Sequence, residues 1–89
     1  MVVQAYEQAF VKWSSNAKLA NRISAIYLVE LRQNAKALQY AKSALAINKK
    51  DRVAALNAAI ASANMRSMQA AASYFDMSVQ GDKIGRAHV

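Results

Sequence analysis

No proline occurs anywhere in the chain, and no glycine occurs before Gly81. That absence removes most ways of reversing a backbone tightly. Two-residue β-hairpins need Asn-Gly, Asp-Gly or a glycine at positive φ, so a meandering sheet has no turns to build on. Alanine is the most frequent residue, and leucine, glutamine, lysine, arginine and methionine supply much of the rest. These side chains lose least on entering a helix. The expectation is an all-α fold of four to five antiparallel helices. With 89 residues, the chain supports one domain near the lower limit for a single core. The helical signal covers residues 1–80, and 81–89 read as a flexible C-terminal tail in which Gly81 closes the last helix.

The same inventory restricts chemistry. Cysteine is absent, so disulfides and thiolate zinc sites are unavailable. The only histidine is His88, and the five acids (Glu7, Glu30, Asp51, Asp76 and Asp82) are scattered. No metal and no cofactor is expected. His88 reads as part of the tail. No histidine stands in the helical part to activate Ser14 or Ser15, which read as helix caps rather than nucleophiles. The chain is not expected to be an enzyme. The uncharged stretch 53–65 is too short to span a bilayer. The first twelve residues lack the basic start and small-residue cleavage site of a secretion signal. A cytoplasmic protein without a membrane partner is expected. Twelve lysines and arginines against five acids give a net charge of +7. Such an excess favours an acidic partner, with plain solubility as the competing reading.

Apolar residues recur at helical spacing. The first stripe is Val2, Val3, Tyr6, Ala9, Phe10 and Trp13, with Gln4, Glu7, Gln8, Val11 and Lys12 mostly on the other side. Ser14, Ser15 and Asn16 end it and offer caps to the next. The second stripe is Leu19, Ala20, Ile23, Ile26 or Tyr27, and Leu31. The third runs Ala37, Leu38, Ala41, Ala44, Leu45 and Ile47 or Asn48. Asn48-Lys49-Lys50-Asp51 is the clearest loop: the lysines suit a helix C-terminus and Asp51 suits the following N-terminus. The fourth stripe is Val53, Leu56, Ile60 and Ala63. The fifth is Ala71, Tyr74 or Phe75, Ser78 and Val79. Between the last two, Ser67 is the one good cap, and a single bent helix is the alternative.

The stripes repeat. Ala37, Ala41, Ala44 and Leu45 recur 34 residues later as Ala71, Phe75, Ser78 and Val79. Ala20, Ile23, Ser24 and Tyr27 recur 33 residues later as Val53, Leu56, Asn57 and Ile60. Tyr6, Ala9 and Phe10 supply a further half-copy. The segment Ala37-Leu38-Gln39-Tyr40-Ala41-Lys42-Ser43-Ala44-Leu45 resembles helix B of the tetratricopeptide repeat (TPR), and Ala20, Ile23-Ser24 and Tyr27 resemble its helix A. The usual proline after helix B is Lys49 here, and the helix A glycine is Ser24 and Asn57. The resemblance spans roughly residues 5–80. It implies TPR-like helical hairpins, whereas the periodicity alone is equally satisfied by a small helical bundle. Two repeats and a leading helix leave apolar end faces, which self-association or a partner would cover.

In that family partners lie along the concave surface made by the A helices. Carried over, the resemblance implies a partner-binding surface of Lys18, Asn21, Arg22, Ala25 and Leu28, continued by Asp51, Ala54, Ala58 and Ala61. The first set suits an acidic peptide or C-terminal carboxylate, and the second a shallow apolar groove. The function expected is a small protein–protein interaction module, adaptor-like or chaperone-like, with a homodimer as one form. The alternative is a small basic nucleic-acid-binding protein using Arg32, Lys36, Lys42, Lys49, Lys50 and Arg52. No helix-turn-helix spacing or basic-aromatic ladder accompanies those six, and a solvated face is the plainer reading. Trp13 reads as core rather than as a surface anchor. Met65, Met68 and Met77, with Tyr74 and Phe75, read as core rather than as an adaptable surface.

Overall fold

A computed structural model describes residues 2–83, with side-chain surroundings described as far as Val79. Among the described residues all regular structure is helical. Helix α1 spans Val2–Lys12 and α2 spans Ala17–Ala25, which runs on into a π-helical turn, Ile26–Glu30. Then follow α3 (Asn34–Ile47), α4 (Arg52–Asn64) and α5 (Met68–Lys83). Connections of three or four residues make successive helices antiparallel neighbours. They stack in chain order into a slab of 46 × 28 × 17 Å, α1 lying on α2 and α5 on α4, with α4 also reaching α2. No described helix is long and apolar enough to cross a membrane.

Local chemistry sets the breaks. Asn16 caps α2, its Oδ1 accepting from the Leu19 N–H at 3.1 Å, and Asp51 caps α4, its Oδ1 accepting from the Ala54 N–H at 3.1 Å. α4 and α5 are separate helices: Arg66 sits at φ 65 and the Ser67 N–H turns back to the Ser62 carbonyl at 2.8 Å. Helix α5 continues through Gly81 to Lys83, so Gly81 is an interior position and not the closing residue expected. Whatever the tail reading says of 84–89, His88 included, lies outside the described residues.

The turns repeat bond for bond. Asn16 N–H donates to Trp13 O at 3.0 Å and Ala20 N–H to Asn16 O at 3.2 Å. Thirty-five residues on, Asp51 N–H donates to Asn48 O and Ala55 N–H to Asp51 O, both at 3.1 Å. After α2 and α4 the interval is 34. Arg32 and Arg66 are the two described residues in the left-handed region, at φ 55 and 65. Ala37 N–H bonds Gln33 O as Ala71 N–H bonds Ser67 O. One residue is therefore lost between the two intervals, and the π-helical turn absorbs it. Leu31 N–H reaches five residues back to Ile26 O, whereas its counterpart Met65 N–H reaches four back to Ala61 O, both at 3.1 Å.

That register corrects the interval of 33 given above for α2 and α4. Ala20, Ile23, Ser24 and Tyr27 correspond to Ala55, Ala58, Ala59 and Ser62, and all eight are buried. The fourth stripe is likewise turned over. Val53, Leu56 and Ile60 are exposed, at 57, 43 and 41 %, and α4 buries Ala54, Ala55, Ala58, Ala59, Ala61 and Ser62 instead. α4 is wedged among α2, α3 and α5, and helices on several sides at close approach leave room only for small side chains. The larger apolar residues take the one face left open.

Large buried side chains gather at the other end. Val3, Ile23, Tyr27 and Leu28 form a core with half-buried Tyr6, Phe10, Leu38 and Tyr40 around it. A second, alanine-rich cluster of Ala20, Ala44, Leu45, Ala54 and Ala55 continues it, with Tyr74 packed on its edge.

Candidate functional site

The outward row of α2 and α4 is the most distinctive surface. On α2, Lys18 and Arg22 stand one turn apart and exposed, with Ala25 half-buried beyond them. Adding the structural interval of 35 to Lys18, Arg22 and Ala25 gives Val53, Asn57 and Ile60, of which Val53 and Ile60 are exposed, and Asn21 maps onto exposed Leu56. This row is cationic on α2 and apolar on α4. It is held together by Asn21 Nδ2–H, which donates across to Asp51 Oδ2 at 2.8 Å. Asn64 Nδ2–H does the same to Asn34 Oδ1 at 3.0 Å near the opposite end of α4.

Of the partner-binding residues carried over from the resemblance, Lys18 and Arg22 lie on this face. Asn21 and Ala25 are half-buried, and Asn21 is committed to Asp51. Leu28, Ala54, Ala58 and Ala61 are buried, and Asp51 is occupied as a helix cap. Those of the second helix face inward for one physical reason: a register short by two residues rotates a helical face. The exposed apolar positions of α4 are Val53, Leu56 and Ile60.

A second apolar feature lies between α4 and α5, an open groove of about 430 Å³ lined by Leu56, Ile60 and Ala63 on one side and by Met68, Ala72 and Phe75 on the other. Met68 is 63 % and Phe75 53 % exposed. The methionines and Phe75 expected in the core are therefore surface residues, and only Tyr74 packs inward. Trp13 is also outside, 59 % exposed over a shallow hollow formed with Lys12, Ser14, Ser15 and Asn16. It ends α1 at a turn, past the last residue that α2 can cover.

The six basic residues of the nucleic-acid alternative are all exposed, but they do not gather. Lys36 stands in the first turn of α3 with its Nζ 5.6 Å from the centre of the Tyr27 ring. Arg32 lies in the turn before it. Lys49, Lys50 and Arg52 lie past the other end of that helix, about 20 Å away at 1.5 Å per residue. Lys42 lies between them on a different azimuth.

One cluster escaped the reading of the sequence. Glu7 Oε2 accepts from the Tyr27 hydroxyl at 2.8 Å and from the Tyr40 hydroxyl at 2.9 Å. The two phenol rings stack with centroids 6.0 Å apart, and Phe10 meets Tyr40 edge-on at 6.0 Å. Glu7, on the side of α1 away from its apolar stripe, is half-buried and ties α1 to α3 and to the turn after α2. Its hydrogen bond, together with burial, raises the Tyr27 phenol above its usual 10.0. Burial first, then the Glu7 bond, pushes Tyr40 up to about 12. No pocket opens onto these hydroxyls among the cavities described, and their evident work is to fasten α1.

No family model, no curated protein and no solved structure matches this chain.

Proposed function

We propose that the chain is a short helical-repeat interaction module of the tetratricopeptide type, one that binds a protein segment carrying apolar and acidic side chains and performs no chemistry. The observation that carries this reading is the inversion of α4. A helix that buries alanine and exposes Val53, Leu56 and Ile60 spends its largest apolar groups on solvent, and contiguous exposed apolar surface marks an interaction site. Lys18 and Arg22 on the α2 part of the same row supply the preference for acid. The recurring turn hydrogen bonds and the paired left-handed arginines support the repeat relationship, with one π-helical insertion in the first unit.

The test is a titration of isotope-labelled chain with synthetic peptides of leucine and glutamate, followed by amide chemical shifts. Perturbations should centre on Lys18, Arg22, Val53, Leu56 and Ile60, and Lys18→Glu with Arg22→Glu should weaken binding about tenfold or more. The reading fails if that row stays silent while a DNA duplex binds with an affinity falling steeply in salt, near −0.9 in log–log slope per neutralised phosphate.

A further inference from the structure

The groove between α4 and α5 has a counterpart inside the molecule whose occupant is known. In the first hairpin, α2 and α3 form the seat on which α4 lies, pinned at its two ends by the Asn21–Asp51 and Asn34–Asn64 hydrogen bonds. Ser24, Ala37 and Ala41 of that hairpin are fully buried. The structural intervals carry them onto Ala59, Ala71 and Phe75, which line the open groove. The open groove is thus a helix seat by construction.

The occupant must be a helix with an apolar stripe, able to approach a chain of charge +7. α5 itself carries such a stripe: Met68, Ala72, Phe75 and Val79 follow one another at intervals of four, three and four, the spacing of a coiled-coil seam. All four are exposed. None of the groove residues is ionisable, so two copies can meet there without opposing their like charges. An antiparallel two-fold arrangement of two α5 helices centred near Ala71 sets Met68 beside the partner's Phe75. It also brings Arg66 towards the partner's Asp76, both of which are exposed. A self-complementary patch of this kind is what a two-fold interface requires.

We infer that this chain forms a two-fold homodimer, each copy laying α5 into the partner's α4–α5 groove. This goes beyond the peptide-binding face, with which the groove shares Leu56 and Ile60, and adds Met68, Ala72 and Phe75 of α5. The test is sedimentation equilibrium of the full chain from low micromolar to near-millimolar concentration, at low and high salt. A dimer is expected, tightening with salt as repulsion between the two cationic bodies is screened. Phe75→Glu should weaken it by about 30-fold or more with helicity by circular dichroism unchanged. Arg66→Glu should weaken it, and Arg66→Glu with Asp76→Arg should restore it. A chain that stays monomeric throughout overturns the inference, and so does a dimer indifferent to Phe75→Glu. Peptide binding at Lys18 and Arg22 is measured on the Phe75→Glu protein, so either reading can fail alone.

Discussion

Glu7→Ala should release α1 from the rest of the molecule. The substitution removes one acceptor and orphans two donors, the Tyr27 and Tyr40 hydroxyls. A hydrogen bond to a charged partner contributes roughly 1.5–3 kcal/mol, and an unsatisfied buried donor costs roughly 1–3 kcal/mol. The two bonds share one oxygen, and both are only partly buried, so the orphaned hydroxyls recover some water. We therefore expect a loss of about 2–3 kcal/mol, a large fraction of the total for a domain this small. Urea unfolding followed by circular dichroism measures it. The same substitution in a Tyr27→Phe, Tyr40→Phe background should cost under about 0.5 kcal/mol, since no donors remain to be orphaned. Equal losses in both backgrounds would refute the reasoning. Alkaline titration gives an independent check. Both phenols have a folded pKa above the unfolded value of 10.0. The folded state therefore holds protons that the unfolded state releases. Their stabilisation is complete below pH 10 and declines as pH rises towards about 12, the value for Tyr40. Phenolate absorbance should show part of the tyrosine signal appearing late, and Glu7→Gln should bring it earlier.

Two serines separate a satisfied hydroxyl from an orphan. Ser24 Oγ donates to the Ala37 carbonyl at 2.7 Å, so Ser24→Ala should destabilise by about 1 kcal/mol in thermal unfolding. Ser62 Oγ is buried with no hydrogen-bond partner, so Ser62→Ala should be neutral or stabilising, and a loss matching that of Ser24→Ala would contradict the assignment. Deleting Val29, an exposed residue of the π-helical turn, should turn that segment into ordinary α-helix with the register of the second unit. Helicity should be retained at a cost within about 1 kcal/mol. Deleting Ala58 rotates everything beyond it by roughly 100° and should abolish cooperative unfolding.

Much of the fold was legible because it rests on local chemistry. The absence of breakers announced helices, and Asp51 announced the start of α4 by its type alone. The interval of 34 between α3 and α5 matches the turn geometry because no insertion lies between the compared segments. Legibility ended where packing decides. Val53, Leu56 and Ile60 have the spacing of a core stripe, and so do the alanines beside them. Hydrophobicity favours burying the larger set, but crowding by α2, α3 and α5 requires the smaller. The register between α2 and α4 failed for a related reason. A π-helical turn adds a residue without any proline or glycine to mark it, and an ungapped comparison then settles on whichever apolar matches alanine-rich sequence offers. Glu7 was missed because a single acid among polar residues carries no signal until Tyr27 and Tyr40, twenty and thirty-three residues on, are brought beside it.

The uneven distribution of side-chain size along the stack connects these observations. The α1–α3 end owes its cohesion to tyrosines, Phe10, Ile23 and leucines closing on one another. Towards α5 the buried contribution falls to methyl groups, at roughly 0.8 kcal/mol for each buried carbon, while Leu56, Ile60, Met68 and Phe75 stay in water. The α4–α5 end is therefore the part of the molecule with most to gain from cover. A partner that buried those four side chains would supply to α4 and α5 the kind of large-residue contact that α1 already gives α2. Binding and stability should accordingly be coupled at this end: the hydrogen-exchange protection of α4 and α5 should rise with protein concentration, and that of α1 should not. Exchange that is independent of concentration along the whole stack would separate the exposed apolar surface from any role in association.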